Sequence, residues 1–204
     1  MGITIFWTLV LKNGHPLDIL RPLRDWAIGS KLFAEVGVVK HFVGIECDYK
    51  QSKEEDGWTL IQAQDTFGPD KPPIEIWSLG IWFGEGCEVT NISFARCGPQ
   101  VSVWKARAFT KTHYAKDFVT AHMSICAIFD FLKKCEKLTV EIKDEGGYWE
   151  KRDPRALVKE LEEWNEGMIK MATSFKKVLG EKVSGSAIER FAEDQRALES
   201  ETND

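Results

Sequence analysis

The stretch IEIWSLGIWFGEGCEVTNISFARCGPQVSVWKARAF, residues 74–109, decides the fold of this chain. It contains three runs rich in β-branched and aromatic residues, which predict strands over residues 74–83, 88–96 and 101–109. Short connections that contain glycine join the runs, at residues 84–86 and 97–100. Parallel neighbours would need a crossover of about a dozen residues or more, so the three strands must be antiparallel.

Other runs of the same character lie before and after this block. We predict further strands over residues 3–11, 36–47, 58–64 and 138–142. The strand at 58–64 is predicted from an imperfect alternation of apolar and polar residues. A charged loop, residues 50–57, is expected to precede it.

Helices are predicted where apolar residues recur at gaps of three and four. One follows the first strand and contains Leu17, Leu20, Ala27 and Ile28. A second follows the β-rich block, and its apolar stripe contains Phe118, His122, Ile125, Phe129 and Leu132.

A long C-terminal helix is predicted to open at Asp153 and Pro154 and to end at Gly180. Aspartate caps a helix, and proline suits the first helical position because its missing N–H would have no partner there. The apolar stripe of this helix contains Leu157, Leu161, Trp164, Met168, Met171, Phe175 and Val178. Because Trp164 lies in the middle of the stripe, we expect it to be a buried core anchor.

These elements predict an α+β fold, with a mainly antiparallel sheet of about five to seven strands packed against two or three helices. The strands cluster together instead of alternating with helices, which argues against an α/β fold. We expect residues 1–180 to form a single domain. Residues 181–204 are expected to be a C-terminal helical segment and a disordered acidic tail.

Composition excludes several classes of partner. The net charge is −5 and no block of basic residues occurs, so we do not expect nucleic-acid binding. No apolar run approaches the ~20 residues of a membrane helix, and the first residues lack the features of a signal peptide. Five cysteines without a C-x-x-C pair are expected to be reduced thiols in a cytoplasmic protein. The negative net charge would favour binding to a basic protein partner.

Four potential metal ligands lie within fourteen residues: His113, Asp117, His122 and Cys126. Each neighbouring pair has a spacing of four, which places its members on one helix face. The two pairs are offset by nine residues, about two and a half helical turns, so they do not converge. We therefore expect no metal and no other cofactor, and we expect His122 to be a buried, neutral histidine.

The densest polar and aromatic stretch surrounds two adjacent glycines at 146–147. Its candidate binding residues are Asp144, Glu145, Tyr148, Trp149, Glu150 and Arg152. Paired carboxylates near aromatic rings are typical of glycoside hydrolysis, and loops on a rigid scaffold are where function concentrates. The same residues also have plainer roles, because the glycines form a turn and Asp153 caps a helix.

No nucleophile elbow and no phosphate-binding loop occurs in the sequence. A catalytic dyad of Cys87 or Cys97 with His113 remains possible, because such partners are adjacent in space and not in sequence.

The sequence favours a non-enzymatic binding or regulatory module, and an inhibitor or immunity-type protein that masks a basic partner is one concrete version. The alternative is a small hydrolase that uses the acidic loop at 144–153.

The long helix predicts self-association. Its apolar stripe is long enough to overhang a small sheet, and soluble monomers avoid large exposed apolar patches. Burial against a second copy is the common solution, although the segment around Ile188 and Phe191 could instead fold back over the patch. We expect a dimer when the full chain is analysed by sedimentation. A chain that is monomeric, and stays monomeric and stable after truncation at Gly180, would contradict both explanations.

Overall fold

The computed structural model describes the backbone of residues 3–51, 53–68, 71–98 and 102–179, and their side chains except Glu54 and residues 171–179. The predicted tail at 181–204 and the predicted helix end at Gly180 lie outside the described residues. Two 3₁₀ turns, Gly44–Cys47 and Tyr49–Gln51, interrupt the chain before the second helix. The strands and α-helices, in chain order, are β1 (Thr4–Leu11), α1 (Leu17–Ser30), β2 (Glu35–Val36), β3 (Lys40–Val43), α2 (Glu54–Asp65), β4 (Glu75–Trp82), β5 (Thr90–Arg96), β6 (Trp104–Lys111), α3 (Phe118–Leu132), β7 (Leu138–Asp144), α4 (Tyr148–Lys151) and α5 (Pro154–Leu179).

The seven strands of the described residues form one antiparallel sheet, which confirms the predicted α+β fold and the strands predicted within residues 74–109. The order is β2-β4-β5-β6-β1-β7, and β3 also pairs with β4. Strand β1 is paired on both sides, with β6 and with β7. The N-terminal strand therefore joins the central hairpins to the last strand of the sheet.

The prediction of a strand over residues 58–64 is wrong, because these residues belong to α2. Leu60 and Ala63 are both buried against the sheet, and Phe67 follows after a gap of four and packs against the same cluster. Gaps of three and four are the helical period. Glu55 and Asp56 lie in the first turn, where negative charge suits the helix dipole.

The predicted strand over residues 36–47 is divided into β2, β3 and a 3₁₀ turn. The second of the two glycines within this segment accounts for the break after β3. Gly37 lies between the short strands and donates its N–H to the Gly80 carbonyl at 3.0 Å. Gly44 follows β3 with a φ of 60°, a left-handed conformation that glycine adopts readily and that ends the strand.

Two layers of helix cover opposite faces of the sheet. Alternate residues of β1 join the core formed with α1 and α3, and these are Ile5, Trp7, Leu9 and Leu11. The predicted stripe of α3 is buried as expected, and the ring of Phe129 lies 5.1 Å from that of Trp7. On the opposite face, α2 packs over β5 and β6.

Helix α5 begins as predicted, because Asp153 Oδ1 accepts the Arg155 N–H at 2.9 Å. The chain divides after Leu157 into two compact units, the first of which contains the whole sheet. In the second unit Trp164 is half-buried, so the enclosed position predicted for it is not observed. Self-association through α5 stays a prediction.

No helix in the described parts of the chain is long and apolar enough to cross a membrane.

The turn between β4 and β5 generates a prediction about stability. Gly86 has a φ of 77°, and a Cβ placed on it would lie 1.9 Å from the carbonyl oxygen of Tyr114. We expect Gly86→Ala to lower the free energy of unfolding by more than about 3 kcal/mol, because backbone on both sides must move. Gly44→Ala is the matched control, since its φ is also positive but its surroundings are open. It should cost only about 1–2 kcal/mol. Equal losses in urea denaturation would contradict the close contact.

Candidate functional site

A cleft of about 440 Å³ opens on the α2 face of the sheet, beside β2, β3 and β4. It forms because α2 packs mainly over β5 and β6. Strand β4 presents Ser78, Gly80 and Trp82 to the cleft, since alternate residues of a strand point to the same face. The volume falls within the range of about 300–1,000 Å³ that is usual for small-molecule sites.

Two glycines on neighbouring segments keep the cleft open. Gly37 and Gly80 both line it, and a Cβ on Gly80 would lie 3.2 Å from Asn91 Oδ1 and from Val89 Cγ1. Asn91 donates through Nδ2 to Gln62 Oε1 at 3.3 Å. This hydrogen bond fixes the amide, whose acceptor oxygen lies beside Gly80.

Two tryptophan side chains form apolar walls. Trp82 is half-buried, and its Nε1 donates to the Cys87 carbonyl at 3.0 Å. Trp58 comes from α2, is 43% exposed, and packs edge-on against Phe109 with the ring centres 6.0 Å apart. Both indoles are therefore held by contacts within the protein and still line the cleft.

The charged side chains of the cleft leave it acidic. Lys40 lines the cleft, but its Nζ lies 2.6 Å from Asp56 Oδ1, so its charge is already matched. Glu35 and Glu55 also line the cleft, and within the described structure neither makes an ion pair. The cleft therefore combines two unmatched carboxylates with two aromatic walls.

The sequence prediction missed this cleft. It treated residues 74–83 only as a strand rich in β-branched and aromatic residues, although Ser78 and Gly80 are small residues two positions apart on one face. Asn91 and Ser93 repeat that spacing in β5, and the two pairs lie opposite each other in the sheet. This periodicity was the available signal. Trp58 was also misplaced, because residues 58–64 of α2 were predicted to be a strand and residues 54–57 to be part of a loop.

The predicted binding residues at 144–152 lie in three different surroundings. Asp144 is enclosed, and it accepts the Gly146 N–H at 2.7 Å and the Trp149 N–H at 2.8 Å. Burial alone would raise the pKa of Asp144. The contacts with His122 and with the two N–H groups outweigh burial, so the pKa lies below its usual value.

Three of these residues come together on the surface of α3. Arg152 makes a bidentate ion pair with Asp130, at 2.7 and 2.8 Å. Its guanidinium carbon lies 4.3 Å from the ring centre of Trp149 and 5.7 Å from that of Tyr148. These contacts hold the turn against α3. The remaining two predicted residues are exposed: Glu145 and Glu150.

A buried polar cluster connects α3 to the end of β7. His122 is fully buried, as predicted, and its Nδ1 lies 2.8 Å from Thr112 Oγ1. Its Nε2 lies 3.0 Å from Asp144 Oδ1, yet Nε2 makes no hydrogen bond within the described structure. Cys126 lies one helical turn further along α3. One donor atom from each of His122, Cys126 and Asp144 lies within 4.8 Å of the other two.

The sequence prediction paired His122 with Cys126 but could not find their third neighbour. Asp144 follows Cys126 by eighteen residues and approaches because β7 lies alongside α3. Asp117 has a different role, because its Oδ1 accepts the Thr120 N–H at 3.1 Å and caps α3.

Of the two cysteines considered for a dyad, Cys87 is a buried thiol and Cys97 is half-buried. Cys87 Sγ lies 3.8 Å from the Lys111 carbonyl oxygen, to which it donates. Burial, with a smaller contribution from Glu88, raises the pKa of Cys87 to about 11. The thiol is therefore protonated near neutral pH, which disfavours it as a nucleophile.

No family model, curated protein or solved structure matches this chain. Its function must be inferred from the geometry described above. The cleft is open to solvent, whereas the cluster of His122, Cys126 and Asp144 is enclosed, so the two support different kinds of role.

A third polar cluster lies where β3 and β5 flank β4. Glu75 Oε1 lies 2.9 Å from His41 Nε2, and Oε2 accepts from Arg96 Nε at 2.7 Å. The Trp77 indole also donates to this carboxylate, at 3.2 Å, and stacks on the His41 ring at 3.7 Å. The partners of Glu75 are thus side chains of the protein itself, and their bonds link β3, β4 and β5.

This cluster predicts how stability depends on pH. Partial burial raises the pKa of Glu75, but its bonds with His41, Arg96 and Trp77 outweigh burial and lower it. A lowered folded pKa contributes stability above the unfolded value of about 4.3, and that stability is lost as pH falls through the folded pKa. We expect Glu75→Gln to lose about 1 kcal/mol at pH 7 and to flatten the unfolding profile between about pH 5 and pH 3.

Glu141→Gln is the control for this measurement, because Glu141 is exposed on β7 and makes no ion pair in the described structure. Its unfolding profile should match that of the unmodified protein. A Glu75→Gln profile as steep as that of the control would exclude the proposed contribution of Glu75.

Proposed function

We propose that this protein is a non-enzymatic binding module that recognises a cationic group in the cleft beside α2. One observation carries the proposal. The cleft places the indoles of Trp58 and Trp82 together with two unmatched carboxylates, Glu35 and Glu55.

The chemistry of these side chains favours a cation with an apolar body. A cation over an indole face gains about 0.5–2 kcal/mol, more as water is excluded. Glu35 and Glu55 add favourable electrostatic energy for a cation and repel an anion. Lys40 does not offset this preference, because Asp56 already matches its charge.

Two sources could supply such a group, namely a free organic amine or a lysine or arginine side chain of a protein partner. The second source agrees with the net charge of −5 and with an inhibitor or immunity-type role. The hydrolase alternative gains less support. The carboxylate of Asp144 is enclosed, and Arg152 is engaged with Trp149 and Asp130, which fits a structural role for that loop.

Titration followed by tryptophan fluorescence tests the proposal. We expect choline to bind and its neutral isostere 3,3-dimethylbutanol to bind at least about tenfold more weakly, which corresponds to ~1.4 kcal/mol. A second arm compares an arginine-containing peptide with the same peptide carrying neutral citrulline. Tighter binding of the arginine peptide than of choline would identify a protein partner as the source.

The variant Glu35→Gln/Glu55→Gln should weaken cation binding by about tenfold or more, because it removes both unmatched charges while preserving side-chain shape. Glu141→Gln, which changes a carboxylate at the far edge of the sheet, should leave binding unchanged. Equal affinity for the cation and its isostere, or equal losses in the cleft variant and the control, would refute the proposal.

A further inference from the structure

We infer that His122, Cys126 and Asp144 form a binding site for a divalent transition metal ion, and the donor set points to zinc. This inference is independent of the cleft and of its proposed ligand. It concerns a cluster enclosed in the opposite layer of the protein, between α3 and the end of β7.

The geometry supplies three converging donors. His122 and Cys126 are four residues apart on α3 and share one helix face, while Asp144 approaches from β7. The separation of 3.0 Å between His122 Nε2 and Asp144 Oδ1 is close to the ~3.3 Å expected for two ligands of one tetrahedral zinc ion. All three donor atoms lie within 4.8 Å of one another, which zinc bonds of about 2.0–2.3 Å can span after a small side-chain rotation.

The orientation of His122 is a second, independent indication. Its Nε2 is completely buried and lies in an ion-pair contact 3.0 Å from Asp144 Oδ1, without hydrogen-bond geometry. Its Nδ1 is held by Thr112 Oγ1 at 2.8 Å. This is the arrangement of a metal-binding histidine, in which one ring nitrogen binds the ion and the other is oriented by a neighbouring polar group.

Charge balance favours the same conclusion. A Cys126 thiolate and an Asp144 carboxylate together carry two negative charges, which neutralise a divalent ion in an enclosed site. Binding would release the thiol proton to solvent. Thiolate and imidazole donors select zinc-like ions, whereas magnesium and calcium prefer sites made of oxygen atoms.

The surroundings indicate a structural role for the ion. The Gly146 and Trp149 N–H groups hold Asp144 in place, as outer-shell contacts do at metal sites. Three protein donors and one further position are the ligand count of a catalytic zinc site, but here the donors are closed off from solvent. The ion would link α3 to β7. It would not act on a substrate, because the side chains of His122 and Asp144 are fully enclosed.

This inference departs from the sequence expectation that the chain binds no metal. That expectation rested on the failure of His113 and Asp117 to converge with His122 and Cys126. The structure replaces the first pair with Asp144, a residue that no local spacing in the sequence associates with α3.

Elemental analysis of the full chain, purified without a histidine tag, provides the first test. We expect about one zinc ion per chain, a lower melting temperature after chelation, and recovery on adding zinc. Replacement by cobalt(II) should produce a thiolate-to-cobalt charge-transfer band, because Cys126 would be a ligand. The band should be absent in Cys126→Ser and retained in Cys135→Ser, a control at a half-buried cysteine outside the cluster.

If Cys126→Ser does not fold, the cobalt spectrum and the zinc-dependent melting temperature of the unmodified protein decide the question. Stoichiometric metal that is lost on chelation, together with the cobalt band, would support the site. The inference is overturned if the protein holds no stoichiometric metal after refolding with zinc and its melting temperature does not respond to zinc. It is equally overturned if Cys126→Ser folds and retains the cobalt band.

Discussion

The burial of β1 against α3 is the contact on which the remaining structure depends. Strand β1 lies between β6 and β7, and its side chains Ile5, Trp7, Leu9 and Leu11 are all buried. At roughly 1.5–3 kcal/mol for each enclosed side chain of this size, this face supplies a large part of the stabilisation. In the described sheet β7 pairs only with β1. Asp144 therefore reaches His122 only because β1 holds β7 beside α3.

The parts of the fold that follow from local pattern could be predicted, and the parts that depend on distant contacts could not. The hairpins of residues 74–109 were predictable because their connections are too short for another topology. The stripe of α3 was predictable because four apolar residues and His122 repeat at helical spacing. Residues 58–64 were not, because Leu60 and Ala63 show their common face only once the sheet lies beneath them. Asp144 was predicted to be a binding residue of the acidic loop, but its neighbour His122 is distant in sequence.

The cleft and the buried cluster illustrate two ways in which polar residues are tolerated in one sheet. Beside α2, the buried polar side chains bond to one another, as Ser78 and Ser93 do at 2.7 Å, and the cleft next to them is open to solvent. Beneath α3, His122 and Asp144 have no access to solvent, so their charge and hydrogen bonding must be satisfied internally. The cleft can receive a ligand from solvent. The buried cluster must instead be balanced by groups inside the protein.

The division of one sheet edge between β2 and β3 has a consequence for behaviour in concentrated solution. A long, flat edge strand offers a row of unpaired N–H and C=O groups to any other extended chain. Here β2 has two residues and β3 has four, and β3 passes directly into a 3₁₀ turn. An approaching strand would find too few consecutive backbone groups to form a stable register. The protein is thereby protected at this edge from strand-by-strand aggregation, without the need for a covering helix.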